Sequence, residues 1–284
     1  MSFLDRIEAC ASFDPMAYAP FMVDGVEVGL IGRGFADVLG EFPDVFRIAR
    51  DCVRLDAQLS DFHGRTRSVH DVLSQLRQSG HFAGWRDEFF PVSRSFSAPP
   101  VMNMERACVA TFGVRAYGVH LNGFVRQGDE VSMWVAKRSM SKYAGPGKLD
   151  QIVAGGQPAG LSLRDNLIKE CGEEAGIPQE LAARAVGVSA VSYCFERTEG
   201  LRRDVEFIYD LELPPDFVPE NTDGEVEAFE LRPIRDVAET VRTTEDFKFN
   251  CALVVIDFLI RHGYIEPDHP EYGALIHGLR QGRA

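Results

Sequence analysis

Three glutamates carry the strongest chemical signal in this chain. Glu170, Glu173 and Glu174 fall at i, i+3 and i+4, so on a helix they share a sector of roughly 100°. Like charges at this spacing cost a helix about 0.2–0.5 kcal/mol per pair, a penalty that a divalent cation removes. Carboxylate oxygens on a rigid helix suit a hard ion, Mg²⁺ or Mn²⁺. Three Glu can also form a plain solvated face; the surrounding sequence argues for chemistry. Immediately upstream runs Gly155-Gly156-Gln157-Pro158-Ala159-Gly160-Leu161-Ser162. Ser162 suits the N-cap of a helix, and Asp165 three residues on completes an approximate capping box. Gly176 can take the left-handed conformation that ends the helix, and Pro178 prevents its continuation. Leu163, Leu167, Ile168, Cys171 and Ala175 form an apolar stripe beside the glutamates, ready to dock on a sheet.

The elements that must hold this helix are legible from periodicity. Phe21 to Val23 and Val26 to Leu30 flank Asp24-Gly25, a dipeptide suited to a type I′ turn, so Pro20 to Ile31 is predicted as a hairpin. Phe35 to Leu39, and Val69 to Gln78 with Val69, Val72, Leu73 and Leu76 at helical spacing, read as helices. The Ser- and Pro-rich stretch Ser93 to Pro100 suggests a boundary. Beyond it the pattern is richer in strands. Arg115 to Arg126 and Val131 to Ala136 make one hairpin, Val186 to Phe195 and Val205 to Leu213 a second, and Val226 to Leu231 a further strand. A last helix is expected from Phe247 to His262, with Gly263 after it. Strands with helices between and after them imply an α+β chain: a small α+β N-terminal domain over residues 1–105 and a mixed sheet covered by helices over 106–284.

Composition narrows the function. The chain has 284 residues with 43 acidic against 30 basic side chains, a net charge of −13. So acidic a surface argues against nucleic acid or an anionic membrane as partner. An anionic small molecule would then need local cations, and Lys137, Arg138 and Lys148 are the candidates. The 6 cysteines contain no C-x-x-C pair, as expected for reduced thiols in the cytoplasm. No apolar run is long enough to span a bilayer, and no secretory signal is expected from the first residues.

The segment from Gly155 to Ile177 resembles the Nudix box, G-x5-E-x7-R-E-U-x-E-E-x-G-U, where U is apolar. Gly155 matches the first Gly; Glu170, Glu173, Glu174, Gly176 and Ile177 match the later positions, with Cys171 at the first U. Lys169 stands for the Arg, and Leu161 for the early Glu. Gly145 to Gly156, Gly113 to His120, Asn221 to Glu227 and Phe247 to Leu253 are similar to one subgroup: the Nudix domain fused to thiamine pyrophosphokinase in some fungi, and its stand-alone relatives. The Asp24-Gly25 hairpin and Gly84 to Glu88 resemble that subgroup's companion domain.

The resemblance implies an α/β/α sandwich and hydrolysis of a diphosphate by water with bound Mg²⁺ or Mn²⁺. It makes Glu170, Glu173 and Glu174 metal ligands, with the Gly155 carbonyl an additional oxygen and Glu173 and Glu174 catalytic. It also implies one more carboxylate from a loop, for which Glu225 is the best candidate, with Glu227 behind it. The implied substrate is thiamine diphosphate or an oxidised or damaged analogue, giving the monophosphate and phosphate. Trp85 and Tyr193, or Phe195, would then offer the ring a platform. His120, Asn122 and Asn250 could also reach the pocket, though a structural role is the simpler expectation. Alternatives are a pyrophosphatase for ADP-ribose or another nucleoside diphosphate derivative, and a catalytically weak diphosphate-binding module, suggested by Leu161. The N-terminal domain is expected to serve specificity or self-association into a homodimer.

Overall fold

The computed structural model describes residues 2–142 and 144–281. After α1 (Phe3–Glu8), strands β1 (Tyr18–Val23) and β2 (Val26–Gly32) form the expected hairpin, with Asp24 and Gly25 both at positive φ. Next come α2 (Arg33–Leu39), β3 (Phe46–Ile48), β4 (Val53–Leu55) and α3 (Phe62–Gln78). These strands form a sheet in the order β2-β1-β4-β3, and its apolar face packs on the Val69, Val72, Leu73 and Leu76 stripe of α3. Helix α3 starts at Phe62 rather than Val69 because Asp61 caps it, accepting a hydrogen bond from the Gly64 N–H at 2.8 Å.

The stretch Ser93 to Pro100 is the loop of a hairpin made by β5 (Phe89–Val92) and β6 (Met102–Glu105). Its Ser and Pro content reflects a turn between paired strands, so the first part of the chain continues through β6.

The rest is one mixed sheet. Its strands are β7 (Arg115–Gln127), β8 (Glu130–Arg138), β9 (Leu149–Gln151), β10 (Val153–Gly156), β11 (Val186–Arg197), β12 (Gly200–Glu212) and β13 (Val226–Pro233). The main order is β11-β12-β7-β8-β13, with β10 paired to β7 and β9 to β8; β12 and β7 run parallel. Helices α4 (Leu163–Ala175) and α5 (Gln179–Ala182) precede β11, and α6 (Ile234–Thr243), α7 (Phe249–Arg261) and α8 (Tyr272–Gly278) follow β13. Val119, Leu121, Tyr209 and Leu211 bury one face of the sheet against Leu167, Cys171 and Ala175 of α4. Phe124, Met133, Val191 and Ile208 bury the other against α6 and α7. The chain is therefore α+β, with a layered helix–sheet–helix second part. Phe3 and Ile7 of α1 pack into the α7 side, so the first helix joins the core of the last. Among the described residues no helix is long and apolar enough to cross a membrane.

A buried polar seam runs beneath α7. Asp150 accepts hydrogen bonds from Arg138 Nη1 at 2.6 Å, the Cys251 thiol at 2.7 Å and its neighbour's backbone N–H, Gln151, at 2.9 Å. Arg138 Nε and Nη2 donate to the carbonyls of Ala144 and Gly145 at 2.8–3.2 Å, so this pair fastens the loop between β8 and β9. Burial works to raise the Asp150 pKa, but Lys248, Arg138 and His120 outweigh it and hold the carboxyl down at about 2. His120, Asp150 and Cys251 have potential metal-binding atoms within 4.8 Å of one another; the short Cys251–Asp150 bond and the Arg138 pairing instead mark a packed hydrogen-bond network.

Two outcomes follow for stability. Gly176 ends α4 at φ +62°, so Gly176→Ala should lower the unfolding free energy by about 1–2 kcal/mol, read from the denaturant midpoint. Asp150 has a folded pKa below its unfolded one, so its stabilising contribution is complete above about pH 4 and is lost as pH falls through about 2. Asp150→Asn should be less stable than wild type at pH 7, with the gap narrowing by roughly 2 kcal/mol between those limits in urea titrations at a series of pH values.

Candidate active site

Helix α4 is stitched to β10 by its own polar side chains. Asn166, Glu170 and Glu174 lie at successive i, i+4 positions beside the apolar line Leu167, Cys171 and Ala175. Asn166 Nδ2 donates to the Gly156 carbonyl at 2.9 Å, and the Ala154 N–H donates to Glu174 Oε2 at 2.8 Å. Between them, a Cβ added to Gly155 would stand 2.5 Å from Glu170 Cγ and Cδ. Only glycine lets the helix carboxylate lie flat against this strand. Ser162 caps the helix as expected, accepting from the Asp165 N–H at 3.1 Å.

The three glutamates open on a cleft of about 680 Å³. Lys169 Nζ donates to Glu173 Oε2 at 2.6 Å and to Glu170 Oε1 at 3.2 Å. Its compact ammonium bridges two carboxylates as a point charge. Burial pushes the Glu174 carboxyl well above its ordinary pKa; the Ala154 N–H opposes this, and the charges of Asp150, Glu170 and Glu225 add to it. Glu170 is also raised, by burial first, with Lys169 working against the shift and Glu173 with it. Glu225 enters from the turn after Asn221. That turn is built by the Gly224 N–H on Asn221 Oδ1 and the Glu225 N–H on Asp223 Oδ1, both 2.8 Å, and Thr222 ties it to the Glu173 carbonyl. Burial tends to raise the Glu225 pKa, but the bond and charge of Lys142, with Arg106 and Arg138, hold it below the usual range.

Glu170, Glu173, Glu174, Glu225 and Gly155 thus all line one cleft. The donor set is all oxygen, and a divalent cation would offset both the burial and the like charges that lift Glu174, so these residues fit Mg²⁺ or Mn²⁺.

The cations are placed differently from the sequence expectation. Arg138 lines the cleft, but most of its donors are held by Asp150, Ala144 and Gly145. Lys137 alternates to the other side of β8 and pairs with Glu227 at 3.0 Å. Lys148 reaches the Glu245 carbonyl at 2.5 Å. Neither lysine lines the cleft; Arg86, Arg106, Lys142, Lys169, Arg202 and Lys248 do. Arg86 comes from the first part of the chain and Arg106 directly follows β6; no local pattern marks either. Arg106 spans Glu88 at 2.8 Å and the Phe90 ring at 5.5 Å, and its charge is felt by Glu170 and Glu225.

The ring platform is also corrected. Trp85 packs under Arg77 of α3 at 4.9 Å and against His70, and bonds Asp87 at 2.8 Å, so it does not line the cleft. Tyr193 lines it, but its phenol is buried and bound to Asp204 and Glu206 at 2.8 Å each. Phe195 packs in the α7 core, while His120 and Asn250 do reach the cleft.

Residues 2–116 match a family described as a domain of unknown function, DUF4743. The chain is similar to Nudix hydrolase 20, chloroplastic, of Arabidopsis thaliana, with 44% identity over 289 residues, 98% of this chain and 77% of that protein. It is equally similar to Nudix hydrolase 24, chloroplastic, of the same plant, with 44% identity over 99% of this chain and 78% of the relative. An uncharacterized protein of Saccharomyces cerevisiae is 31% identical over 89% of this chain and 80% of its own length. Among solved structures, DR0079 from Deinococcus radiodurans is similar at 19% identity and a TM-score of 0.44, covering 60% of this chain and 97% of its own. A MutT/nudix family protein from Enterococcus faecalis is similar at 12% identity and a TM-score of 0.42, covering 81% of each chain. With two relatives sharing 44% of their residues along almost the entire length, the chain belongs to the Nudix hydrolases, which cleave diphosphate bonds.

Proposed function

We propose that this chain is a Mg²⁺-dependent hydrolase of thiamine diphosphate or an oxidised or damaged analogue, releasing the monophosphate and phosphate. The observation that carries the reaction is the convergence of Glu170, Glu173, Glu174 and Glu225 on one cleft with Arg86, Arg106 and Lys142. Support for the thiamine part is the resemblance of the Nudix box and its flanking stretches to the thiamine-linked subgroup. Glu170, Glu173 and Glu174 with the Gly155 carbonyl would hold the metal. Mg²⁺ supplies charge neutralisation at the phosphoryl oxygens and a lowered pKa for the attacking water. Glu225, whose pKa Lys142 and the two arginines hold below the usual range, would accept the proton of that water. Arg106 and Arg86 offer N–H donors to the phosphate oxygens.

The first part of the chain thereby forms one wall of the cleft, which favours a role in substrate recognition. We divide the chain functionally at about residue 105, where β6 ends. Six free, buried cysteines fit a reducing compartment, and we take this to be the cytoplasm; the two plant relatives carry chloroplastic in their names.

The test is a panel of thiamine diphosphate, its oxidised analogues and ADP-ribose, with and without Mg²⁺, followed by phosphate and product detection. Metal-dependent release of phosphate from a thiamine diphosphate is expected; turnover of ADP-ribose alone would overturn the substrate. Glu174→Gln should reduce kcat by orders of magnitude while the fold persists, whereas a mere binding module would change only in affinity. Arg106→Met should raise KM more than it lowers kcat, as expected for a group that holds phosphate in both ground and transition states.

A further inference from the structure

The α7 side of the same cleft carries a cluster that phosphate hydrolysis does not use. Tyr193 has one phenolic hydrogen, yet its oxygen stands 2.8 Å from both Asp204 Oδ2 and Glu206 Oε1. Asn250 Nδ2 gives Glu206 Oε1 a donor at 3.1 Å, and Arg202 Nη1 lies 3.3 Å from Asp204. Glu206 Oε2 accepts no hydrogen bond among the described residues, although the side chain is only 9% exposed. His120 Nε2 lies 3.8 Å from it, beyond hydrogen-bond reach. That nitrogen also faces the Asn250 amide at 3.3 Å. The His120 ring proton sits on Nδ1, directed at Gln151 Oε1, because the other end of that amide donates to the Cys251 carbonyl. Glu206 lines the cleft, so a donor entering there can reach this oxygen, and a charged donor would bond it strongly.

The charges nearby do not satisfy it. Arg202 is shared between Asp204 and Glu199, and the charge of Lys248 acts on Asp150. Phe249, half-buried, lines the same recess. Arg197 already lies over its ring at 5.1 Å and Lys248 at 6.0 Å, so Phe249 contributes an apolar wall. The recess adjoins β10 through Gly118. A Cβ there would overlap the Glu206 carboxylate and stand 3.1 Å from the Gly155 carbonyl oxygen.

We propose that Asp204 and Glu206, walled by Phe249, bind the heterocyclic end of the substrate, and that the end they select carries both a positive charge and N–H donors. Such a group supplies the hydrogen bond that Glu206 Oε2 lacks and neutralises the acidic pair, while an uncharged end that presents acceptors meets only repulsion. A substrate with a positive ring and an anionic diphosphate would match both sides of the cleft. This inference rests on the diphosphate hydrolase reading and adds the residues that would set specificity.

Calorimetric binding to the full-length protein without metal tests it, using thiamine itself as a phosphate-free cationic probe. Thiamine should bind the wild type, and Glu206→Gln and Asp204→Asn should each weaken it about tenfold or more, with thermal unfolding monitored as the control for fold. The wild type alone gives a second measurement: an isostere whose thiazolium is replaced by an uncharged ring should bind about tenfold more weakly. No thiamine binding, equal affinity for the isostere, or unchanged affinity in both folded variants overturns the pocket. Because hydrolysis is not read, thiamine binding without cleavage of thiamine diphosphate would sink the substrate proposal and leave the pocket standing.

Discussion

The site depends on the close contact between α4 and β10. A helix normally keeps its carboxylates away from a neighbouring strand, because desolvation costs more than any single hydrogen bond returns. Here Gly155 removes the steric obstacle, the Ala154 N–H meets Glu174, and Asn166 takes up the Gly156 carbonyl. The apolar line Leu167, Cys171 and Ala175 supplies the adhesion, and the polar line beside it sets the register. Glutamates are thereby held partly dry and mutually repelling, a state that favours capture of a cation. Stability is given up locally for that poise, and the two buried faces of the sheet supply the compensation.

A second consequence concerns the wall opposite α4. Arg86 lines the cleft from the first part of the chain and Arg106 from just after β6, so these cations and the α4 carboxylates come from different regions. The two parts touch: β2 meets the segment that leads into β7 through the Leu30 N–H on the Gly113 carbonyl at 3.3 Å, and α1 packs with α7. In an acidic chain, local positive potential has to be concentrated where the anion binds. Bringing arginines from one region over the carboxylates of another achieves that while keeping opposite charges apart until the tertiary contact forms.

The alternation along β12 carries a further lesson. Val205, Phe207, Tyr209, Leu211 and Leu213 alternate with residues that read as a solvated face. In the folded chain the intervening Asp204, Glu206 and Asp210 are buried beneath α7. Asp210 is matched by Arg261 at 2.6 Å and His262 at 3.0 Å, whereas Asp204 and Glu206 turn toward the cleft. Period-two patterning distinguishes two faces of a strand but does not say what covers the polar one.

The sequence by itself determined helix α4 and the grouping of its carboxylates, because those depend on short-range rules. Helix α4 is bounded by Ser162 and Gly176, and i, i+4 spacing alone groups its glutamates on one side. The Asp24-Gly25 turn was legible for the same local reason. Only the tertiary structure decided which cations serve the cleft. Lys137 and Lys148 stand near the loop in sequence, yet strand alternation and a backbone carbonyl turn them away, while Arg106 arrives from a distant segment. Trp85 and Tyr193 were displaced as ring platforms for the same cause: side-chain direction near a cleft is set by what packs behind it, Arg77 in one case and two carboxylates in the other, and such partners lie far along the chain.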